Sequence, residues 1–320
     1  MIQHILTPTP MRDGVCLSAD IRLPSGDRTF PTVLIRTPYN NGGWSPADAA
    51  LIDAGYAVVK QDCRGRFDSE GIFDPLREDE DGHDTVAWVT AQPWCDGRIG
   101  MVGGSYNGLT QFTAAWTKPA GLRAIAPAVM GHDLFKNVVY YNGVFNLPIA
   151  MGWAAAVAGR SGQGNETTDW NRVYQHLPLI TMDEAAGYHM DYVREWLAHP
   201  VYDDYWKQLS IEQHYADFNV PCFHAGGWFD IYAEGTVTSF CGIRKQGGPN
   251  ARNAQHLIMG PWPHGIGGRA VGQLDFGDAA AVAMDALYRR WLDRWVLGQP
   301  NGIDREPPVR IFVMGTNVWR

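Results

Sequence analysis

The chain has 320 residues, of which 45% are hydrophobic, and its formal net charge is −8. Because it has no basic run, it lacks the concentrated positive surface that binding to a nucleic-acid backbone requires. Its 13 Trp and 36 Gly, with only a moderate acidic excess, exclude a disordered chain and indicate an aromatic-rich globular protein long enough for more than one domain.

The cysteines and the apolar segments indicate the cellular compartment of the protein. The five cysteines are widely spaced and never form a C-x-x-C pair, so neither a disulfide framework nor a zinc-thiolate site is expected. A reducing, cytoplasmic location is therefore predicted, and no apolar core of signal-peptide length stands near Met1. The apolar run at 143–159 is interrupted by Asn146 and Pro148 and is too short to span a bilayer, which favours a buried or cleft-lining helix.

Strands and helices alternate in the first part of the chain. Ser45 followed by Pro46 is typical of a helix start, and Gly55 ends that helix. The predicted elements are strands at 31–39, 56–61, 98–102 and 122–129 and helices at 45–54, 84–91 and 106–116. Such alternation predicts an α/β fold, with a mostly parallel sheet covered by helices on both faces.

The regular alternation stops after residue 131. Residues 132–218 are dense in aromatics and helix-like, and strands return at 221–225 and 254–259 before a long helix at 279–297. A fresh strand signal at 309–314 finds no partner downstream, so we expect the chain to stop short at the start of a further domain. Three parts are therefore predicted. They are an α/β domain at 1–131 and 219–305, a helical insertion at 132–218 and the start of a C-terminal β-domain at 306–320.

A glycine-rich segment, GGSYNG at 103–108, joins a predicted strand to a predicted helix. A serine on such a sharp turn projects its hydroxyl above the sheet, which makes Ser105 a candidate nucleophile. The N–H of Tyr106 at the helix N-terminus can stabilise an oxyanion. The pattern departs from G-x-S-x-G because the second glycine, Gly108, comes one residue late. On the motif alone, an ordinary glycine-rich turn remains the alternative.

Two other interpretations fail on their spacing. The GGSYNG segment fits G-x-G-x-x-G with Ser105 in the central place, but serine would hinder the approach of a pyrophosphate, and no acidic residue follows about 20 positions on. The acidic run at 77–82 fails the EF-hand pattern, because Arg77 and Trp88 would occupy loop positions one and twelve. No His and Glu cluster has zinc-protease spacing, so we predict neither a metal nor a cofactor.

Two residues that follow predicted strands can complete a catalytic triad. Asp230 follows the strand at 221–225 and His264 follows the strand at 254–259, which places both at the carboxyl edge of the predicted sheet. Their order after Ser105 is the Ser, Asp, His order of α/β-hydrolases. For Asp230 the alternative is a helix N-cap. His264, in a loop with proline and glycine beside it, is the best placed of the histidines.

Several segments together resemble one family of enzymes over nearly the whole chain. They are RDGVCLSADIRLP, IRTPY, YAVVKQDCRGRFDSEGIF, WCDGRIGMVGGSYNG, GGWFD and GPWPHG. In this order they resemble the cocaine-esterase-like (CocE/NonD) branch of the X-Pro dipeptidyl-peptidase (S15) family of serine hydrolases. The resemblance implies an α/β-hydrolase fold with a helical cap at about 132–218. It also implies a C-terminal jelly-roll domain, of which all but the first strand, near Val309, is absent from this chain.

The resemblance also implies roles for individual residues. Ser105 is expected to be the nucleophile, Asp230 the acid and His264 the base. Tyr39, in a strand-end motif that resembles the family's, is expected to give its hydroxyl to the oxyanion hole beside the N–H of Tyr106. Without the family, a packed turn tyrosine would be the preferred interpretation of Tyr39.

The expected activity is hydrolysis of a small carboxylic ester or amide through an acyl-enzyme. Aromatic residues of the cap and around Asp230 predict an apolar acyl pocket, although ordinary packing explains any one of them equally well: Tyr140, Phe145, Trp153, Trp228, Phe229 and Tyr232. Because Glu234 is the only acid close behind Asp230, a plain carboxylesterase is favoured over an X-Pro dipeptidyl aminopeptidase or an α-amino-acid ester hydrolase. A non-catalytic binding module is the alternative of another class. Neither a nucleic-acid nor a membrane partner is expected, and the sequence is compatible with a homo-oligomer.

Overall fold

The structure, a computed structural model, describes residues 3–162 and 168–320. Its strands in these ranges, numbered in chain order, are β1 (Gln3–Pro10), β2 (Cys16–Leu23), β3 (Phe30–Thr37), β4 (Ala57–Asp62), β5 (Cys95–Gly104), β6 (Leu122–Ala128), β7 (Tyr140–Tyr141), β8 (Val144–Phe145), β9 (Cys222–Gly227), β10 (Gln255–Gly260), β11 (Ala270–Val271), β12 (Leu274–Asp275), β13 (Val309–Val313) and β14 (Val318–Trp319).

The helices are numbered in the same way. They are α1 (Pro46–Asp53), α2 (Asp79–Thr90), α3 (Tyr106–Trp116), α4 (Ala154–Ala156), α5 (Trp170–Val173), α6 (Met182–Ala185), α7 (Asp191–Ala198), α8 (Asp204–Leu209), α9 (Ala233–Gln246), α10 (Pro249–Arg252) and α11 (Met284–Trp295). Two π-helical turns lie at Leu134–Val139 and Pro148–Trp153, and short 3-10 turns lie at Leu179–Thr181, Ile211–Asp217, Asp278–Ala280 and Ile303–Arg305. In the described part of the chain, no helix combines the length and the apolar character needed to cross a membrane.

A ten-stranded sheet in the order β1-β2-β4-β3-β5-β6-β9-β10-β13-β14 forms the centre of the molecule. The pairs from β4 through β13 in this order are parallel, whereas β1, β2 and β14 join antiparallel at the two ends. Every residue of β4, β9 and β10 is buried, as expected for strands covered on both faces. This confirms the predicted mostly parallel α/β sheet.

Alternate residues of β3 face two different cores. Val33 belongs to a buried cluster with Leu292 of α11, whereas Leu34 belongs to a cluster with Leu109 of α3. Successive side chains of a strand point to opposite faces, so these helices lie on opposite sides of the sheet. The predicted helical cover on both faces is confirmed.

The segment between β6 and β9 consists of short elements, from the π-helical turn at Leu134–Val139 to the 3-10 turn at Ile211–Asp217. It is mostly helical, as predicted, but β7 and β8 form a small antiparallel hairpin where no strand was predicted. Asn142 and Gly143 take positive φ angles of 51° and 82°, which permits the tight turn that joins the two strands. The predicted buried or cleft-lining helix over 143–159 is found in part: helical residues run from Pro148 to Ala156, whereas the hairpin occupies the start of the range. Residues 163–167 of the predicted cap lie outside the described residues.

The prediction for the last strand also needs correction. Instead of lacking a partner, β13 pairs in parallel with β10 and antiparallel with β14. Phe312 of β13 is 1% exposed and packs edge-on against Trp319, with ring centroids 5.3 Å apart. The sequence did not reveal the β10 pairing because it joins segments about fifty residues apart, with α11 between them.

Gly227 shows how closely the ends of β9 and β10 approach each other. A Cβ atom on Gly227 would lie 2.0 Å from the carbonyl oxygen of Trp262, in the loop after β10. The N–H of Phe229 donates to that same carbonyl over 3.0 Å. Only glycine therefore allows the two loops to be joined by this hydrogen bond.

We predict that Gly227→Ala lowers the free energy of unfolding by about 2 kcal/mol or more, because the new methyl group forces the Trp262 backbone away. Chemical denaturation measured by circular dichroism checks this. Gly268→Ala is the matched control, since a Cβ atom there meets no atom within 4 Å. Equal stability of the two variants would contradict the close approach.

Candidate active site

Ser105 occupies the sharp turn between β5 and α3. Its backbone angles are φ 57° and ψ −127°, a region that a non-glycine residue adopts only at a cost. The N–H of Ser105 donates to the carbonyl of Ala128 at the end of β6 over 2.9 Å, which anchors the turn to the sheet. This is the strand, turn and helix context that a nucleophile elbow requires.

The late glycine of the motif has a structural reason. Gly108 lies in the first turn of α3, where a Cβ atom would be 3.1 Å from the Ala128 carbonyl oxygen and 3.2 Å from Met130 Cβ. Gly103 takes φ 137°, and a Cβ atom on it would lie 2.7 Å from Asn107 Cβ. The close approach of α3 to β6 thus depends on Gly108, one position later than the usual second glycine.

Asp230 and His264 form a hydrogen-bonded pair at the carboxyl ends of β9 and β10. His264 Nδ1 lies 2.8 Å from Asp230 Oδ1. The Asp230 side chain is fully buried, whereas the imidazole is 44% exposed. The N-cap alternative for Asp230 does not hold, because α9 begins at Ala233 after Tyr232 and has no side-chain cap. The carboxylate therefore serves the imidazole rather than the helix.

Three other histidines have structural partners. His224 lies in β9 and bonds to Gln255 over 2.8 Å, His256 packs against Trp291, and His83 lies 3.2 Å from a threonine hydroxyl. Burial lowers the pKa of His224 to about 4, which keeps it neutral. These environments suit packing rather than proton transfer.

Tyr39 lies just beyond the end of β3 and close to Ser105. Its hydroxyl accepts a hydrogen bond of 2.9 Å from Trp153 Nε1. Burial raises the pKa of Tyr39, and hydrogen bonds with Trp153 and with the Ser105 side chain only partly offset that effect. The phenol is therefore protonated near neutral pH and can donate a hydrogen bond.

The side chain of Tyr106 belongs to a buried network that the sequence analysis missed. Its hydroxyl donates to Glu78 Oε1 over 2.7 Å and accepts from the Leu76 N–H over 3.1 Å. Glu78 in turn pairs with Arg36 over 2.9 Å, and both side chains are at most 2% exposed. Burial raises the pKa of Glu78, although Arg36 opposes the shift. Arg36 precedes Tyr39 by three residues, and a charge in a buried strand was the available sequence signal.

Two of the aromatics predicted to form an acyl pocket touch proposed catalytic groups. Trp153 stacks on Tyr106 with ring centroids 5.5 Å apart, and Tyr232 lies edge-on to His264 at 5.6 Å. The other four make contacts elsewhere in the molecule: Tyr140 donates to the Trp196 carbonyl, Phe145 packs on Tyr140, Trp228 donates to the Phe312 carbonyl and Phe229 packs on Phe276. These contacts are those of packing residues, and a place for the four in an acyl pocket stays a prediction.

No group of three or more His, Cys, Asp or Glu side chains within 3–162 and 168–320 is arranged to hold a metal ion. At the carboxyl edge of the sheet lie a serine on an elbow, a buried acid bonded to an imidazole, and a phenol beside the serine. Fold and arrangement together define an α/β-hydrolase.

Residues 13–266 match the X-Pro dipeptidyl-peptidase (S15) family, and the chain belongs to that family. It is 32% identical to cocaine esterase from Rhodococcus sp. (strain MB1 Bresler), in an alignment that covers 97% of this chain and 58% of that protein. Among solved structures it is similar to an aminopeptidase from a marine sediment archaeon, Thaumarchaeota archaeon, with 25% identity and a TM-score of 0.82. It is also similar to an α-amino acid ester hydrolase, with 27% identity and a TM-score of 0.78. All of this chain is covered in both structural matches, but only 58% of either neighbour, so it spans little more than half the length of these proteins.

Asp62 at the end of β4 supports the loop that carries Tyr39. Its Oδ1 accepts a hydrogen bond of 2.7 Å from the N–H of Asn41, two residues after Tyr39. The side chain is almost fully buried, and this burial raises the pKa of Asp62 from 3.8 to about 7. The folded protein therefore holds a proton on Asp62 at a pH where the unfolded chain has lost it.

We predict that this proton makes stability depend on pH. The unfolded carboxyl ionises near 3.8 and the folded one near 7, so the contribution of Asp62 is fully present below pH 3.8 and is lost as pH rises to about 7. In Asp62→Asn, whose amide oxygen can still accept from Asn41, the melting temperature should fall less between pH 5 and pH 8 than in the parent chain. Asp27→Asn, at an exposed carboxylate, is the control and should behave like the parent. An unchanged pH dependence in Asp62→Asn would exclude this role.

Proposed function

We propose that the chain is a serine hydrolase that cleaves carboxylic esters through an acyl-enzyme formed on Ser105. The observation that carries the proposal is the buried Asp230 carboxylate bonded to His264 at 2.8 Å, at the same sheet edge as the serine elbow. Membership of the S15 family and the similarity to cocaine esterase support ester hydrolysis. The free state of all five cysteines supports the cytoplasmic location that we propose with it.

In the proposed mechanism, Asp230 accepts from His264 Nδ1–H, which leaves Nε2 as the base. His264 takes the Ser105 proton while the oxygen attacks the substrate carbonyl, and a tetrahedral intermediate forms. The imidazolium then protonates the leaving alcohol, and the acyl group remains on Ser105. Water, deprotonated by His264 in the same way, attacks this acyl-enzyme and releases the acid and the free serine.

The negative oxygen of the tetrahedral intermediate needs two donors. We assign them to the Tyr106 N–H, at the N-terminus of α3, and to the Tyr39 hydroxyl, which lies beside the Ser105 side chain. Each donor is expected to contribute roughly 3 kcal/mol to transition-state stabilisation. Burial of the Tyr39 phenol supports this role, since it keeps the proton on the donor.

A neutral acyl group suits the surroundings of the site better than an ammonium group. Two carboxylates at this edge of the sheet already have partners: Asp230 bonds to His264, and Glu78 pairs with Arg36 and Tyr106. The aromatic faces of Trp153 and Tyr232 suit an apolar acyl group. The similarity to an aminopeptidase and to an α-amino acid ester hydrolase supports the second candidate, a hydrolase of substrates with a free amine.

We predict that Ser105→Ala abolishes hydrolysis of p-nitrophenyl esters, with a loss of at least about 10³-fold in kcat/KM, because the nucleophile is removed. Labelling with a fluorophosphonate probe should occur in the parent chain and be lost in the variant. Ser25→Ala, at an exposed serine between β2 and β3, is a matched substitution away from the elbow that should leave both signals intact. A folded parent chain that neither turns over esters nor takes up the probe would favour the binding-module alternative.

We further predict that neutral acyl esters are better substrates than free-amine aminoacyl esters or Xaa-Pro anilides. The expected preference is at least about tenfold in kcat/KM, since Asp230 and Glu78 already pair with His264 and Arg36 and would have to leave these partners to bind an ammonium group. Parallel assays with leaving groups of the same type measure it. A preference for the amines would assign the chain to the peptidase or amino-acid ester branch.

A further inference from the structure

Trp153 contacts both residues that we assign to the oxyanion hole. It ends the π-helical turn at Pro148–Trp153, between β6 and β9. Its indole N–H donates to the Tyr39 hydroxyl over 2.9 Å. Its ring stacks on the Tyr106 ring, with centroids 5.5 Å apart and an interplanar angle of 21°. One side chain therefore lies against both proposed donors.

The direction of the indole hydrogen bond matters. Indole nitrogen can only donate, whereas a phenol hydroxyl carries one proton and can also accept. Because Tyr39 accepts from Trp153, its own proton must point to a different acceptor. The Ser105 side chain is among the groups that act on the pKa of Tyr39, so the phenol lies beside the proposed nucleophile. The accepted bond also makes the phenol a stronger donor.

We propose that Trp153 is a positioning residue for the oxyanion hole, which orients the Tyr39 hydroxyl toward the developing negative oxygen. This inference rests on the proposed function and goes beyond the predicted place of Trp153 in an acyl pocket. The residue acts through Tyr39 and need not touch the substrate.

Hydrogen bonds from Arg66 link the segment of Trp153 to the loop of Tyr39. Arg66 is fully buried, and its guanidinium donates to the carbonyls of Pro38 over 2.9 Å and Val157 over 2.6 Å. Pro38 precedes Tyr39, and the N–H of Val157 donates to the Trp153 carbonyl over 3.1 Å. The same cation thus links the loop that carries the phenol to the turn that carries the indole.

A positioning role and a pocket-wall role predict different kinetics. A wall residue contacts the acyl group, so its loss changes KM and depends on acyl size. A residue that orients Tyr39 acts in the transition state, so its loss lowers kcat for every acyl group. Substitution of such a residue also has no effect once the Tyr39 hydroxyl has been removed, because the two substitutions remove the same hydrogen bond.

The experiment is a double-mutant cycle of Trp153→Phe and Tyr39→Phe, assayed with p-nitrophenyl acetate and p-nitrophenyl benzoate. Trp153→Phe should lower kcat about tenfold for both esters, with KM within about twofold of the parent value. In the Tyr39→Phe background the same substitution should change kcat by less than about twofold. Phenylboronic acid forms a tetrahedral adduct that places an oxygen in the oxyanion hole. Its dissociation constant should therefore rise in the variants that lose kcat.

Two further variants separate the outcomes. Trp153→His keeps a ring N–H and should retain more activity than Trp153→Phe; it also serves if Trp153→Phe does not fold. Trp206→Phe is the matched control, because Trp206 Nε1 donates to the His199 carbonyl between α7 and α8. Its kcat should equal that of the parent.

Three results would overturn the proposal: an equal loss in the Tyr39→Phe background, a loss confined to the benzoate ester, or Trp153→His no better than Trp153→Phe. A failure of the proposed function looks different, since Ser105→Ala would then retain turnover. If Tyr39→Phe alone left kcat unchanged while Ser105→Ala was inactive, the oxyanion role of Tyr39 would fail and the Trp153 proposal with it.

Discussion

Parallel pairing in the central sheet is the constraint on which the candidate site depends. Strands that run in one direction end at one edge, so β3, β5, β9 and β10 deliver residues from four distant segments to the same place. Ser105 leaves β5, Tyr39 leaves β3, and Asp230 and His264 leave β9 and β10. The acid, the imidazole, the phenol and the hydroxyl thus all follow strands that end at this edge.

The buried Arg36, Glu78 and Tyr106 network joins β3 to the start of α3 at this edge. Removing two charges from water costs several kcal/mol for each ion, and a buried pair recovers this only with good geometry and further hydrogen bonds. Here the pair lies between the strand that leads to Tyr39 and the residue that follows the serine. A hydrophobic pair could fill the same space, but it could not hold the Tyr106 hydroxyl. The network therefore fixes the start of α3 relative to the end of β3.

Local sequence patterns were enough to predict the helices, strands and turns whose formation depends on residues close together in the chain. The helix at Tyr106–Trp116 and the buried strands came from periodicity and turn residues, and the turn at Ser105 came from its glycines. The hairpin β7–β8 was missed because two residues per strand are too few for a period-two pattern. The parallel partner of β13 was missed because its pairing is set by tertiary contacts and not by any local signal.

The same limit applies to the side chains of the site. Candidates such as Asp230 could be chosen because chemistry and position along the chain agree, whereas the hydrogen bond from Trp153 to Tyr39 joins residues 114 positions apart. A tryptophan in an aromatic-rich segment is normally explained by packing. The hydrophobic pattern of the sequence does not indicate which group its N–H binds.

That hydrogen bond changes how the segment between β6 and β9 relates to the catalytic edge. A cap that only covers a cleft would influence which acyl groups enter it. This segment supplies a donor to Tyr39 and is bonded through Arg66 to the residue before Tyr39. In the mechanism that we propose, it would therefore also influence the reaction of every substrate. Because a hydroxyl follows its hydrogen-bond partners, a small shift of this segment would turn the phenol proton away from the oxyanion. Selection of the acyl group and stabilisation of the transition state would then depend on one arrangement of the same segment.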